Sequence, residues 1–389
     1  MNLSERAEKI SPSITLTISA KAKAMKAQGI PILNFSVGEP DFDTPEPIKQ
    51  AALKAMNEGF TKYTPAGGIP ELKDAIIGKY EKELSLHYQP GEIMVSNGGK
   101  HALHNIFQAL LNPGDEVIIP SPYWLSYPDM VKLSDGVPVI LRTELEKGYK
   151  LQVEDLERLI TPKTRILVLN SPSNPTGAVY TVEELRRIVE AVEGRDLFIV
   201  SDDVYEKFVF EDVKFANILS VAPELRDRVV IINSVSKTYA MPGWRIGYAL
   251  GPEALIGAAT KIQGQATSCP GSISQKAVAF GLTMDQGFVE EFRVSFEKRR
   301  DIIMEGLMGI KGFHVPKPMG AFYVFADVSA YYNRPGGASD SVSFCNDLLD
   351  RFHIACIPGA AFGEDNCIRF SFATDESSIR EALERLKEL

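Results

Sequence analysis

The chain has 389 residues, 44% hydrophobic and 24% charged, with a formal net charge of −9. That length allows one large domain or two to three ordinary ones around a sizeable core. The acidic balance argues against a general nucleic-acid binder, without excluding a local basic pocket for an anion.

The first residues, Met1 to Lys9, carry charges of both signs and no apolar h-region, so no signal peptide is expected. No apolar run approaches the roughly 18–20 residues of a membrane helix, and a cytoplasmic location is the expectation. In chain order, strands are predicted at 93–96, 116–120, 138–141, 166–170, 197–201, 229–233 and 246–250. Several of these runs are continuously apolar rather than alternating, the mark of strands buried on both faces. Amphipathic stretches lie between them, such as the helix predicted over 182–192. This alternation predicts an α/β fold with a mostly parallel central sheet. From about Glu290 the character changes. A long charged helix at 288–308, apolar runs at 321–325 and 368–372, and a closing helix at 377–389 predict a smaller α+β unit.

Cys269, Cys345, Cys356 and Cys367 are widely spaced with no CxxC pair. Reduced thiols are therefore expected, rather than a disulfide framework or zinc. His101 and His104 share i, i+3 spacing, but nothing else in the sequence offers ligands, so no metal is expected.

In a parallel α/β sheet, ligands bind beyond the carboxyl ends of the strands. Three motifs fall there: Asn170-Ser171-Pro172-Ser173-Asn174-Pro175-Thr176-Gly177, Asp202-Asp203-Val204-Tyr205 and Ser234-Val235-Ser236-Lys237. Lys237 follows a buried apolar run, with hydroxyl residues before it and Arg245 after it. That pattern suits pyridoxal phosphate (PLP), whose aldehyde condenses with a lysine amine. Its dianionic phosphate suits serine and arginine donors. The pair Gly98-Gly99, before Lys100 and a helix predicted over 104–110, lets backbone N–H groups approach an anion at a helix N-terminus. Arg369 sits inside an apolar run, an expensive place for a cation without an anionic partner. Its planar fork suits a carboxylate.

The stretch from Ser234 to Tyr248 resembles the lysine signature of the fold-type I PLP enzymes, specifically the class I/II aminotransferases, and within them the bacterial-type aspartate aminotransferases. Matching segments run from Ser36-Val37-Gly38-Glu39-Pro40-Asp41-Phe42 to Ile368-Arg369-Phe370-Ser371, nearly the whole chain. The resemblance implies the PLP-dependent transferase fold, with a large cofactor domain over 46–289 and a discontinuous small domain from 1–45 and 290–389. It implies Lys237 as the catalytic amine and Asp202, rather than Asp203, beside the pyridine nitrogen. Tyr205 and Asn174 would bond the 3′-oxygen, and Trp124 would stack on the ring. Gly99, Lys100, Ser234, Ser236 and Arg245 would surround the phosphate, joined by Tyr63 of a neighbouring subunit in a homodimer. Arg369 would grip the substrate α-carboxylate, with Asn174, Trp124 and the Gly38 backbone nearby, and Lys100 would meet the distal carboxylate.

The implied activity is ping-pong transfer of the amino group of aspartate, or a related amino acid, to 2-oxoglutarate. Aromatic or broad-range transamination and β-elimination of cysteine conjugates are the rivals on the same scaffold. A PLP-binding regulatory domain is the rival from another class. Against it, the Gly38 motif lies too near the N-terminus to leave room for a DNA-binding module.

Overall fold

A computed structural model describes residues 3–10, 14–332, 334 and 337–389. Met1 and Asn2 of the segment read for a signal peptide lie outside them. The strands are β1 Leu33–Asn34, β2 Ile93–Ser96, β3 Glu116–Ser121, β4 Val137–Arg142, β5 Thr164–Asn170, β6 Phe198–Asp202, β7 Val229–Ser234, β8 Gly247–Leu250, β9 Tyr323–Asp327, β10 Ile354–Ala355, β11 Ile357–Pro358 and β12 Cys367–Ser371. Seven of them form the central sheet in the order β2-β8-β7-β6-β5-β3-β4. All seven predicted strands are present. β2 and β7 are buried along their whole length, including the polar Ser96, Asn233 and Ser234 that follow their apolar runs.

The pairs from β7 through β6, β5 and β3 to β4 are parallel, whereas β8 runs antiparallel to both β2 and β7. The cause lies in the connection from β7 to β8. It holds only the short helix Val235–Thr238 and a 3-10 turn, Pro242–Trp244. A helix that short rises about 6 Å and cannot carry the chain back along the sheet. The whole connection, Lys237 included, therefore stays at the carboxyl edge of the parallel strands.

The helix Val182–Val192 is present at its predicted bounds, opened by a capping box between Thr181 and Glu184. The helix after the glycine pair spans Gly99–Leu110, starting at the second glycine rather than at His104. The final helix, Glu376–Leu386, begins on an Asp375 cap and ends three residues before the chain does.

One apolar core lies on each face of the central sheet. A third gathers Ile18 and Phe35 from the N-terminal segment with Phe296, Tyr323, Phe370 and Leu383 from the C-terminal part. The parallel pair β1–β10 joins the same two segments. In the three-stranded sheet β11-β12-β9, Arg369 stands opposite Ile357 and Phe325.

Candidate active site

A cavity of about 380 Å³ opens at the carboxyl edge of β5, β6 and β7, beneath β9 and β12. It is lined by Gly38, Gly99, Lys100, Trp124, Asn174, Asp202, Tyr205, Ser234, Ser236, Lys237, Arg245 and Arg369. All the candidate residues from the sequence converge there except Tyr63. That side chain is 90% exposed and does not line its own chain's cavity.

β6 ends at Asp202, and Asp203 follows directly, so two adjacent carboxylates meet different surroundings. Asp202 lines the cavity, and its Oδ2 accepts a 2.5 Å hydrogen bond from the Tyr127 hydroxyl. Burial pushes its pKa up to about 6, against the opposing effects of Tyr127, the Val204 N–H and Lys237. Asp203 turns away from the cavity. It accepts from the Ser201 hydroxyl at 2.7 Å and from the Asn217 amide.

Lys237 stands one turn past β7, in the short helix whose first turn is capped by the Ser234 hydroxyl. Its amine donates to the Gly38 carbonyl, so the N-terminal motif and the lysine motif meet at one atom pair. Burial lowers its pKa to about 8, assisted by the charges of Arg369 and Arg245 and opposed by Glu39 and Asp202.

A cradle suited to an anion forms where the ends of β2 and β7 flank the start of β8. Gly98 precedes the helix Gly99–Leu110 at φ +88°, a backbone that disfavours a side chain, and a Cβ there would run into the Arg245 guanidinium. The first backbone N–H groups of that helix have no intrahelical acceptor. Gly247 pairs with both Ser96 and Ser234, and a Cβ on it would meet the backbone of Gly98 and Gly99. Ser234, Ser236 and Arg245 face the same space. Arg245 is held by the carbonyls of Pro242 at 2.8 Å and Asn97 at 3.2 Å. Lys100 points over the Trp124 ring at 5.0 Å, and burial, then Arg245, lowers its pKa.

Arg369 is buried at the opposite wall. Its guanidinium donates to Asn174 Oδ1 at 2.9 Å and to the Ser36 carbonyl at 3.0 Å. Its Nε is buried with no hydrogen-bond partner, a donor left for a ligand. The Tyr205 and Tyr323 hydroxyls meet at 2.7 Å beside it.

Among the wall residues that the sequence does not single out, three bear on the site's polar contacts. Tyr127 lies three positions past Trp124 and packs edge-on against it, with ring centroids 5.3 Å apart. That spacing was its only signal. Tyr323 falls in the apolar run at 321–325, which gives its hydroxyl no separate signal. Ser36 contributes a backbone carbonyl, which leaves no trace in a sequence.

The residues fit PLP. The glycine cradle and its hydroxyl and guanidinium donors suit a phosphate, Asp202 a ring cation, and the unpartnered Arg369 donor a carboxylate.

Residues 30–386 match the family described as Aminotransferase class I and II. The chain is 46% identical over 384 residues to the aspartate aminotransferase of Bacillus sp. (strain YM-2), covering 99% of this chain and 98% of the relative. It is 45% identical to the aspartate/prephenate aminotransferase of Nitrosomonas europaea over the full length of both. Among solved structures, the aspartate aminotransferase of Rhizobium meliloti superposes with a TM-score of 0.96 at 44% identity, covering 100% of this chain and 98% of that one. The Thermus thermophilus enzyme with maleate superposes at 0.94 and 42%, with 100% and 99% covered.

Proposed function

We propose, from the premise that this chain belongs to the class I and II aminotransferases, that it is a PLP enzyme moving the amino group of aspartate to 2-oxoglutarate. The observation that carries the proposal is the meeting of the Lys237 amine, the Asp202 carboxylate and the Arg369 guanidinium in one cavity. Bound there, PLP would supply an electron sink for the pair left when a substrate Cα–H bond breaks.

The chain's own residues divide the remaining work. Lys237, with its pKa lowered by burial, has a neutral fraction near neutral pH. It can take a proton at the substrate Cα and return it. Asp202 supplies the negative charge that favours a protonated ring nitrogen, and Tyr127 helps to keep it ionised. Tyr205 and the Asn174 amide supply donors to the ring oxygen, and Trp124 an aromatic face. Gly99, Lys100, Ser234, Ser236 and Arg245 hold the phosphate. Arg369, aimed by Asn174 and Ser36, receives the α-carboxylate beside Gly38. Lys100 serves the distal carboxylate.

The same proposal includes a homodimer in which Tyr63 reaches the partner's phosphate, which would explain a fully exposed tyrosine. It includes a large domain of 46–289 and a small one of 1–45 with 290–389, supported by the core shared between the N- and C-terminal segments. Four free thiols suit a reducing, cytoplasmic setting.

The test is a product balance on purified protein with PLP, aspartate and 2-oxoglutarate. Equimolar oxaloacetate and glutamate without ammonia is the expected result. Ammonia release would favour the elimination reading instead. The name of the Nitrosomonas relative favours prephenate as a second acceptor. It is an oxo acid with a further carboxylate, and offering it in place of 2-oxoglutarate tests that reading.

A further inference from the structure

Behind the cavity lies a charged cluster that none of these roles uses. Lys79, on the helix Pro70–Leu84, places its ammonium 2.6 Å from Glu206 and 3.0 Å from Glu83. The side chains of Lys79 and Glu206 are each only 4% exposed. Lys207 completes the chain of charges to the surface through Glu83 at 2.7 Å. Burial works against the Lys79 charge, but Glu206, Tyr248 and Glu83 together hold its pKa well above the ordinary lysine value.

A fully buried ion pair adds little net stability, because desolvation offsets its attraction. Its location points to a different use. Glu206 closes the turn that begins at Asp203, with its N–H bonded to the Asp203 carbonyl at 2.9 Å. That turn sends Val204 and Tyr205 into the cavity, with the Val204 N–H donating to Asp202 Oδ1 at 3.4 Å, and sends Asp203 and Glu206 out behind it. The next residue of the helix, Tyr80, accepts a 3.3 Å hydrogen bond from the Asn233 amide. Asn233 in turn accepts from the Ser234 N–H at 2.7 Å. One helix thus grips, through consecutive residues, the two strand ends that face the cavity with Asp202 and Ser234. The ammonium also lies 4.6 Å from the Tyr80 ring centroid, and Tyr239, close to Lys237 in sequence, and Tyr248 are buried.

We propose that Lys79 and Glu206 are positioning residues for the cofactor site, their ion pair fixing the turn that aims Asp202 and Tyr205 into the cavity. The proposal rests on the PLP reading above. Its test uses Glu206→Gln, which keeps the shape, and the double variant Lys79→Met/Glu206→Leu, which replaces both charges with apolar groups. Three quantities are measured: the Tm, the Kd of the apo-protein for PLP by tryptophan fluorescence, and the pH midpoint of the holoenzyme's visible absorbance.

Glu206→Gln is expected to lose Tm, since it strands a buried ammonium, and the double variant to recover it. Both should bind PLP on the order of 10-fold more weakly, a fraction of what a 1 Å misplacement brings. Both should also move the absorbance midpoint upward by about half a pH unit, less than one hydrogen bond's worth. Should the double variant not fold, Glu206→Gln with Lys79→Arg/Glu206→Asp as rescue reads the same quantities. Wild-type PLP affinity and midpoint in either Glu206→Gln or the double variant would overturn the proposal and leave the pair a matter of stability. A wild-type chain that takes up no PLP would instead overturn the cofactor reading beneath it.

Discussion

The Tyr127 hydroxyl donates to Asp202 Oδ2 at 2.5 Å, and both groups are buried at the cavity wall. A donor to a carboxylate favours its ionised form, whereas burial favours the neutral one. Asp202 balances the two at a pKa of about 6. Removing the donor tips the balance toward the protonated acid, which cannot support a ring cation. Tyr127→Phe is therefore expected to move the acidic limb of the kcat/KM profile to higher pH by about 0.5–1 unit, the scale of one hydrogen bond. A limb that stays in place would mean that Tyr127 only packs against Trp124.

Asp202 and Asp203 should separate cleanly. Asp202→Ala is expected to cost activity by about 10²-fold or more while the fold survives, because its carboxylate faces the cavity. Asp203→Ala should instead lower the Tm and leave the folded enzyme active. Its loss strands Ser201 and Asn217, two buried donors. Comparing kcat per folded molecule with Tm for both variants decides the matter, and a larger kcat loss at Asp203 would reverse the assignment.

Lys237→Ala should lower turnover by about 10²–10⁴-fold or more, because it removes the amine assigned to move the Cα proton, while the other amine of the cavity, Lys100, lies over Trp124. Near-normal activity of the purified variant without added amines would remove the central residue of the proposal.

Lys100 lies over an aromatic face and, among the described residues, forms no ion pair. It is an exposed cation at the cavity wall, available to a substrate anion. Lys100→Ser is expected to lower kcat/KM for aspartate and glutamate by about 10-fold, the scale of a lost charged hydrogen bond. Any activity on an aromatic amino acid should change much less. Equal losses on both substrate classes would assign Lys100 to the cofactor or the fold.

Sedimentation of the holoenzyme should give a dimer. A fully active monomer would leave the exposed Tyr63 without its proposed task.

Much of this was legible before any coordinates. Strands such as β5 and β7 announce themselves through unbroken apolar runs. Their order along the chain then places the motifs after Asn170, Asp202 and Ser234 at one edge. What escaped is what depends on distance in space. The reversal of β8 follows from a connection whose helix is one turn long, and nothing in the apolar run 246–250 encodes direction. The early start of the helix at Gly99 was masked by two glycines, which propensity alone assigns to a loop. Nothing in the sequence links Lys79 to Glu206, which the fold sets 2.6 Å apart. Nothing in the sequence marks Tyr127 or Tyr323 as site residues, because a hydroxyl's partner is invisible in sequence.

Gly247 does not line the cavity, yet it sets the width of the cradle. It stands between Ser96 and Ser234, so the backbone that opens the Gly99 helix rests directly on its missing side chain. Even one methyl group at this position would act as a spacer, lifting the helix's amide groups away from Ser234 and Ser236. Damage to anion affinity can thus enter from the middle of a strand, with every ligand-facing residue of the cradle still intact.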